Sequence, residues 1–143
     1  MTDMPRASLP GSDLPRPLPS VAGNAFTRAQ LALFAGGSGD HNPIHIDADV
    51  AREKGFEDVI VPGMLVMAQL GKMLTDWAGP SSIRRWTVRF TDITAVLDAP
   101  VYFAEIVEEV EFAGEACLRL ALWVEVEGVG QVVRGEAIVA KRE

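Results

Sequence analysis

Ten consecutive residues, Ser38-Gly-Asp-His-Asn-Pro-Ile-His-Ile-Asp47, hold both histidines of the 143-residue chain together with three residues able to accept or stabilise charge. Asn42-Pro43 is a turn dipeptide, and proline pushes the residue before it into extended backbone. Such a turn can fold the chain back so that Asp40 and His45 face a common point. A carboxylate and an imidazole sharing one site form an acid–base pair, one holding a proton while the other accepts. The same residues allow a plainer role, with Asp40 capping a turn and His45 packed. A metal role is set aside. Zinc hydrolases place two histidines on one helix face with a catalytic glutamate after the first; here Asn42 follows His41, and Pro43 breaks the helix before His45.

A second candidate is Pro62-Gly63-Met64, at the start of an apolar helical stretch. Unpaired amides at a helix N-terminus carry partial positive charge and stabilise anions. Glycine lets a carbonyl approach the backbone closely. A tight turn into a core helix would use the same residues. Cys117 has no histidine left to activate it and reads as a passive thiol. Trp77, Trp86 and Trp123 read as core or interface residues. Arg84, Arg85 and Arg89 form the one local basic cluster, a solvated strand face or a contact for phosphate or an acidic carrier.

The elements that must position these residues follow from capping and periodicity. Thr27-Arg-Ala-Gln30 has the form of a capping box, Leu31, Phe34 and Ala35 share one face, and Gly36-Gly37 are expected to end this helix. Asp47 is expected to cap a short helix that stops at Gly55. From Pro62 to Trp77 apolar residues cover nearly every side, which predicts a helix buried all round, ended by Gly79-Pro80. After Ser82 the period becomes two. Trp86, Val88 and Phe90 form one face, then Tyr102, Ala104, Ile106 and Val110, then Leu118 to Val126. Val133, Gly135, Ala137 and Val139 form a small-residue face that predicts a bulky neighbour. These are four amphipathic strands, with one turn at Gly128-Val-Gly130. Prolines at 15, 17 and 19 confine Leu14–Val21 to an edge strand or extended arm. The simplest packing is α+β, an antiparallel sheet wrapped around the buried helix.

Composition bounds the rest. At 143 residues the chain is one domain, expected over 14–143 after a loose tail over 1–13. A net charge of −7 argues against a nucleic-acid partner, which needs a basic surface. The longest apolar stretch, Ile60 to Gly71, is 12 residues, short of the roughly 18 that span a bilayer. Five prolines and no apolar run in the first twenty residues argue against an export signal. With one cysteine no intrachain disulfide forms, and a cytoplasmic protein is expected.

The segment Ala35 to Asp47, A-G-G-S-G-D-H-N-P-I-H-I-D, followed by Val59-Ile-Val-Pro-Gly-Met-Leu, resembles the MaoC-like branch of the hotdog superfamily. That family carries S-G-D-x-N-P-x-H, a helix, and then I-x-H-G-M opening the central helix. Thr75-Asp-Trp-Ala-Gly-Pro and Trp86-Thr-Val-Arg-Phe90 are similar to small subunits of two-component 3-hydroxyacyl thioester dehydratases. The resemblance covers residues 14 to 141. It implies a hotdog fold with five or six antiparallel strands, and (R)-specific hydration of 2-enoyl thioesters or the reverse dehydration. It further implies that Asp40 and His45 are the dyad, that Asn42 orients the catalytic region, and that the Gly63 amide, flanked by Pro62 and Met64, receives the thioester oxygen. No metal or redox cofactor is implied; CoA or acyl carrier protein is the handle of the substrate, with Arg84, Arg85 and Arg89 as candidate contacts. Pro62 stands where the family has histidine, and Ala68 where some (R)-hydratases carry a hydroxyl.

The resemblance also implies pairing, as a homodimer or as a heterodimer or heterotetramer with another MaoC-like subunit. Two other functions compete. A non-catalytic or semi-catalytic subunit could complete a partner's acyl tunnel, which Pro62 favours and the dyad disfavours. A hotdog thioesterase would need a carboxylate on or near the central helix, where only Asp76 stands, at the far end.

Overall fold

The computed structural model describes residues 13–141; of the tail expected over 1–13, residues 1–12 lie outside the described residues. Helix α1 spans Arg28–Ser38, α2 spans Ala48–Glu53 and α3 spans Gly63–Ala78. Thr27 caps α1 by accepting from the Gln30 amide, and Asp47 caps α2 by accepting from the Asp49 and Val50 amides. Both N-termini therefore start where the side chains dictate. The end of α1 does not fall at Gly36-Gly37. The helix runs through both and stops at Gly39, whose amide still donates to the Ala35 carbonyl and whose φ of 78° is the left-handed turn that ends the helix.

Strands β1 (Arg16–Pro17), β2 (Val21–Ala22), β3 (Ile83–Phe90), β4 (Val101–Phe112), β5 (Glu115–Val126) and β6 (Gly130–Ala140) form one antiparallel sheet. Its order is β1-β4-β5-β6-β3, with β2 also on β4, and it is not closed into a barrel. The proline-rich arm thus becomes two short pieces on the outer edge of β4, where a missing N–H breaks no central ladder. The β4–β5 hairpin turns on Ala113-Gly114, both with positive φ, the two-residue turn whose twist matches the strands. A bulge between Ile106 and Glu108 explains why the apolar alternation of β4 loses step before Val110.

The sheet curls around α3. Leu65, Val66, Leu70 and Leu74 of the helix belong to one buried core with Ile106, Leu120, Leu122, Val124 and Val139 of the sheet. The helix is not buried on every side. Met64, Ala68, Lys72 and Asp76, spaced four apart, form an exposed stripe, and Lys72 pairs with Asp76 at 2.5 Å. Its first two members are apolar, which hid the stripe in the sequence pattern. None of the described helices is long and apolar enough to cross a membrane.

Along the small-residue face of β6 the register sets Trp86 beside Ala137, a bulky neighbour as expected, but at Gly135 the close neighbour is not a side chain. A Cβ on Gly135 would lie 2.1 Å from the Thr87 carbonyl oxygen and 2.9 Å from Val88 Cα. The close neighbour is the main chain of β3, which cannot rotate away. Gly135→Ala is therefore expected to cost about 3 kcal/mol or more, read as a drop in the urea midpoint. An unchanged midpoint would mean that β3 is not held this closely.

Candidate active site

Asp40, Asn42 and His45 are placed by a chain of side-chain caps. Ser38 Oγ accepts from the Asp40 amide at 3.1 Å, Asp40 Oδ1 from the Asn42 amide at 3.2 Å, and Asn42 Oδ1 from the Ile44 amide at 3.3 Å. Asn42 thereby caps a single 3₁₀ turn over Pro43–His45. The two roles open to Asp40 turn out to be compatible. One carboxylate oxygen holds the turn, and the other, Oδ2, stands 3.7 Å from His45 Nε2. The imidazole is 11% exposed and the carboxylate 42%. His41 is exposed and takes no part in this pair.

The imidazole is oriented from its far side. His45 Nδ1 lies 2.8 Å from the Ile60 carbonyl oxygen, which can only accept. Nδ1 therefore carries the proton, and in the neutral ring Nε2 presents its lone pair toward Asp40. At 3.7 Å these two acceptors do not bond each other directly. Each is free to take a hydrogen bond from one small molecule between them.

The same short segment connects the pair to α3. The Ile60 amide donates to the Ile44 carbonyl at 3.2 Å, and Val61 is fixed by donating to Thr94 at 2.9 Å. Gly63 follows three residues after Ile60, within about 10 Å of extended chain. The bonds of the helix begin at Leu65 and Val66, whose amides both donate to the Pro62 carbonyl. The Gly63 and Met64 amides precede them and have no helix carbonyl to reach. Pro62 is buried and caps without a side-chain bond; Met64 is 58% exposed.

Phe90 is a site residue that the sequence pattern did not single out. A Cβ on Gly63 would meet its ring at 2.9–3.1 Å, so the ring covers the helix start where only glycine fits. Its place at the end of an alternating strand gave it the look of an ordinary core residue, yet it is 46% exposed.

The basic cluster divides. Arg84 is committed: Nε and Nη2 donate to the two Glu115 oxygens at 2.6 and 2.9 Å, and Nη1 donates to the Ser81 carbonyl at 2.6 Å. That pairing holds the Arg84 guanidinium more firmly protonated and the Glu115 carboxyl below its ordinary value. Arg85 and Arg89 are exposed on the face of β3 turned away from α3. Arg89 lies opposite Arg134, beside a groove of about 630 Å³ that Trp123 also lines. Trp123 is thus a surface residue, stacked on Phe103 at 5.2 Å, while Trp77 and Trp86 pack on the core. Cys117 is fully buried, and burial pushes its thiol up, as suits a passive residue.

The model of the MaoC like domain family matches residues 13–112. The chain belongs to the MaoC-like family. This MaoC-like chain is 30% identical to the R-hydratase PhaJ1 from Pseudomonas aeruginosa, covering 92% of this chain and 84% of that one, with a TM-score of 0.79. The ChsH1-ChsH2 complex from Mycobacterium tuberculosis shares the fold, with a TM-score of 0.77 at 20% identity over 92% of this chain and 100% of that one. A mitochondrial 3-hydroxyacyl-[acyl-carrier-protein] dehydratase of Solanum lycopersicum is 36% identical over 73 residues, 50% of this chain and 40% of that protein. The chain spans less than half the length of the curated relatives it matches.

Two measurements check the geometry of the site. Nitrogen-15 NMR of the neutral His45 ring is expected to show the Nδ1–H tautomer; an Nε2–H ring would contradict the bond to Ile60. The second concerns Arg28, at the start of α1, which pairs with Asp58, two residues before Ile60. That bond and the Val59 amide hold the Asp58 carboxyl below its ordinary value of about 3.9. A depressed carboxylate stabilises above its unfolded pKa, and the contribution is lost as pH falls through the folded one. The melting-temperature gap between the native chain and Asp58→Asn should therefore be full near neutrality and close below about pH 4. A gap unchanged in acid would contradict the pairing.

Proposed function

We propose that this chain is a hydro-lyase that hydrates trans-2-enoyl thioesters to (3R)-hydroxyacyl thioesters and runs the reverse dehydration. The observation that carries this reading is the Asp40–His45 pair, two acceptors 3.7 Å apart with the proton of the imidazole turned the other way. One water can donate a hydrogen to each of them and keep its lone pairs for the substrate. That is the arrangement needed to attack an electrophilic C3.

As the C–O bond forms at C3, one member of the dyad takes a proton from the water. Charge flows through the double bond to the thioester oxygen, and the Gly63 amide at the head of α3 opposes it. A proton then returns from the dyad to C2, so each turnover ends in the protonation state in which it began. Both protons move on one face of the substrate, because both groups stand on one side of it. The (3R) configuration is supported by the similarity to the R-hydratase named above.

The handle is CoA or an acyl carrier protein. With Arg84 committed to Glu115, Arg85 and Arg89 are the cations of β3 that remain for an anionic handle. A second hotdog unit belongs to this reading as well. Met64 and Phe90 stand exposed beside Gly63, and β3 leaves one edge of the sheet open. A developing enolate is stabilised best where water is excluded, and a second subunit over these side chains would exclude it. The partner is an identical chain or another MaoC-like subunit; the relative that is a complex of two proteins supports the second form.

The test is loss of enoyl absorbance on adding the protein to crotonyl-CoA. Asp40→Asn and His45→Ala are each expected to lower kcat/KM by about 10²–10⁴ with the fold intact. Turnover that appears only after a second MaoC-like subunit is added would select the heteromer. Release of free CoA without hydration would overturn the hydro-lyase reading in favour of a thioesterase.

A further inference from the structure

The face of the sheet turned away from α3 carries one transverse row of side chains that runs from aromatic to cationic. Phe103 of β4 lies opposite Trp123 of β5, Trp123 opposite Arg134 of β6, and Arg134 opposite Arg89 of β3. The two rings stack with centroids 5.2 Å apart and planes 5° from parallel. The indole is held a second time, by its Nε1–H donating to Glu125 at 3.1 Å. The groove of about 630 Å³ is lined by Trp123 but not by Phe103. It therefore opens on the face of the indole that Phe103 leaves free. Thr87 and Ala121, both short, flank Glu136 in the neighbouring row and leave depth beside the indole.

Charge on this row is unbalanced. Like charges directly opposite on antiparallel strands repel, and Arg89 and Arg134 are such a pair. Arg84 and Arg119 of the same sheet each pair with a carboxylate. Among the described residues neither Arg89 nor Arg134 makes an ion pair, in a chain with 20 acidic residues to 13 Lys and Arg. Glu136, the one acid lining the groove, stands 3.8 Å from Arg119, and Glu125 holds the indole. Two guanidinium groups are left facing one space, each a planar fork of donors that matches the oxygens of a phosphate.

We propose that this groove is a purine-nucleotide site, in which the base stacks on the free face of Trp123 and the phosphate bridges Arg89 and Arg134. Neighbouring strands lie about 4.8 Å apart, so roughly 10 Å separates β5 from β3 across β6. A base resting about 3.5–4 Å from the indole leaves the rest of that span for sugar and phosphate. Glu136 accepts hydrogen bonds and Gln131 both donates and accepts, which suits the amino group and ring nitrogens of a purine. A phosphate dianion would also cancel the repulsion between the arginines. The groove lies on the far side of the sheet from α3, so the site is independent of the enoyl-thioester reading. Its ligand is a free nucleotide or the nucleotide end of CoA, which present the same ring and a phosphate.

Calorimetry tests the site with AMP, adenosine, inorganic phosphate and CoA on the native chain, Arg134→Gln and Trp123→Leu. AMP should bind the native chain, with adenosine and phosphate each weaker by at least about tenfold. Each variant should weaken AMP by about tenfold or more. With one of two opposed charges removed, the urea midpoint of Arg134→Gln should equal or exceed the native value, which separates lost binding from lost fold. A lower midpoint would mean that Arg134 has a partner within the chain, and overturns the unbalanced pair. CoA that competes with AMP and weakens with it in Arg134→Gln assigns the site to the end of CoA. CoA that binds alongside AMP, indifferent to Arg134, assigns it to a free nucleotide. AMP affinity unchanged in both variants overturns the site, as does adenosine binding as tightly as AMP, or no binding of AMP at millimolar concentration.

Discussion

Ile60 uses both of its backbone groups on the motif loop: its N–H donates to Ile44 at 3.2 Å, and its carbonyl accepts from His45 Nδ1 at 2.8 Å. The first bond sets the height of the loop against the segment that enters α3. The second sets the tautomer and the plane of the imidazole. Without the second, Nε2 could carry the proton and the ring could turn, and the lone pair facing Asp40 would be lost. Because Ile60 itself precedes the head of α3 by so little chain, the same short segment ties the dyad to the Gly63 amide. A buried hydrogen bond left unmade costs about 1–3 kcal/mol, enough to keep the ring in this one orientation.

Helix α3 serves two demands that conflict locally. As the core element it should be rich in strong helix formers, yet it opens on Gly63 and carries Gly71 in its interior, where glycine is unfavourable by about 1 kcal/mol relative to alanine. Both glycines lie under an aromatic ring of β3. Local propensity is set aside where β3 approaches the helix, and that approach borders the site. Violations of local rules gather at functional positions in just this way. On the opposite side of β3 the chemistry is of another kind, with Arg85 and Arg89 exposed in a chain whose net charge is −7.

Much of the architecture was legible because short-range signals control it. Thr27 and Asp47 cap their helices as their side chains require, and the prolines of the arm sit on an edge. The Asp40–His45 encounter was legible too, since Asn42-Pro43 leaves the loop few ways to turn. What stayed hidden depends on partners distant in sequence. Gly36-Gly37 look like a stop, but no left-handed turn is needed until Gly39. The exposed stripe of α3 begins with Met64 and Ala68, which are indistinguishable from core residues by type. The neighbour of Gly135 is a strand backbone, and the neighbour of Arg84 is Glu115, far along the chain. Phe90 differs from a core phenylalanine in its exposure and in what it covers, and neither shows in its type.

The central claim is that one water, held by Asp40 and His45 together, adds to one face of an enoyl thioester. Hydration of crotonyl-CoA in deuterated water, followed by chiral and NMR analysis of the product, tests it most directly. The account predicts (3R)-hydroxybutyryl-CoA with a single deuterium at C2 on the same face as the new hydroxyl. A (3S) product, or deuterium on the opposite face, would contradict it.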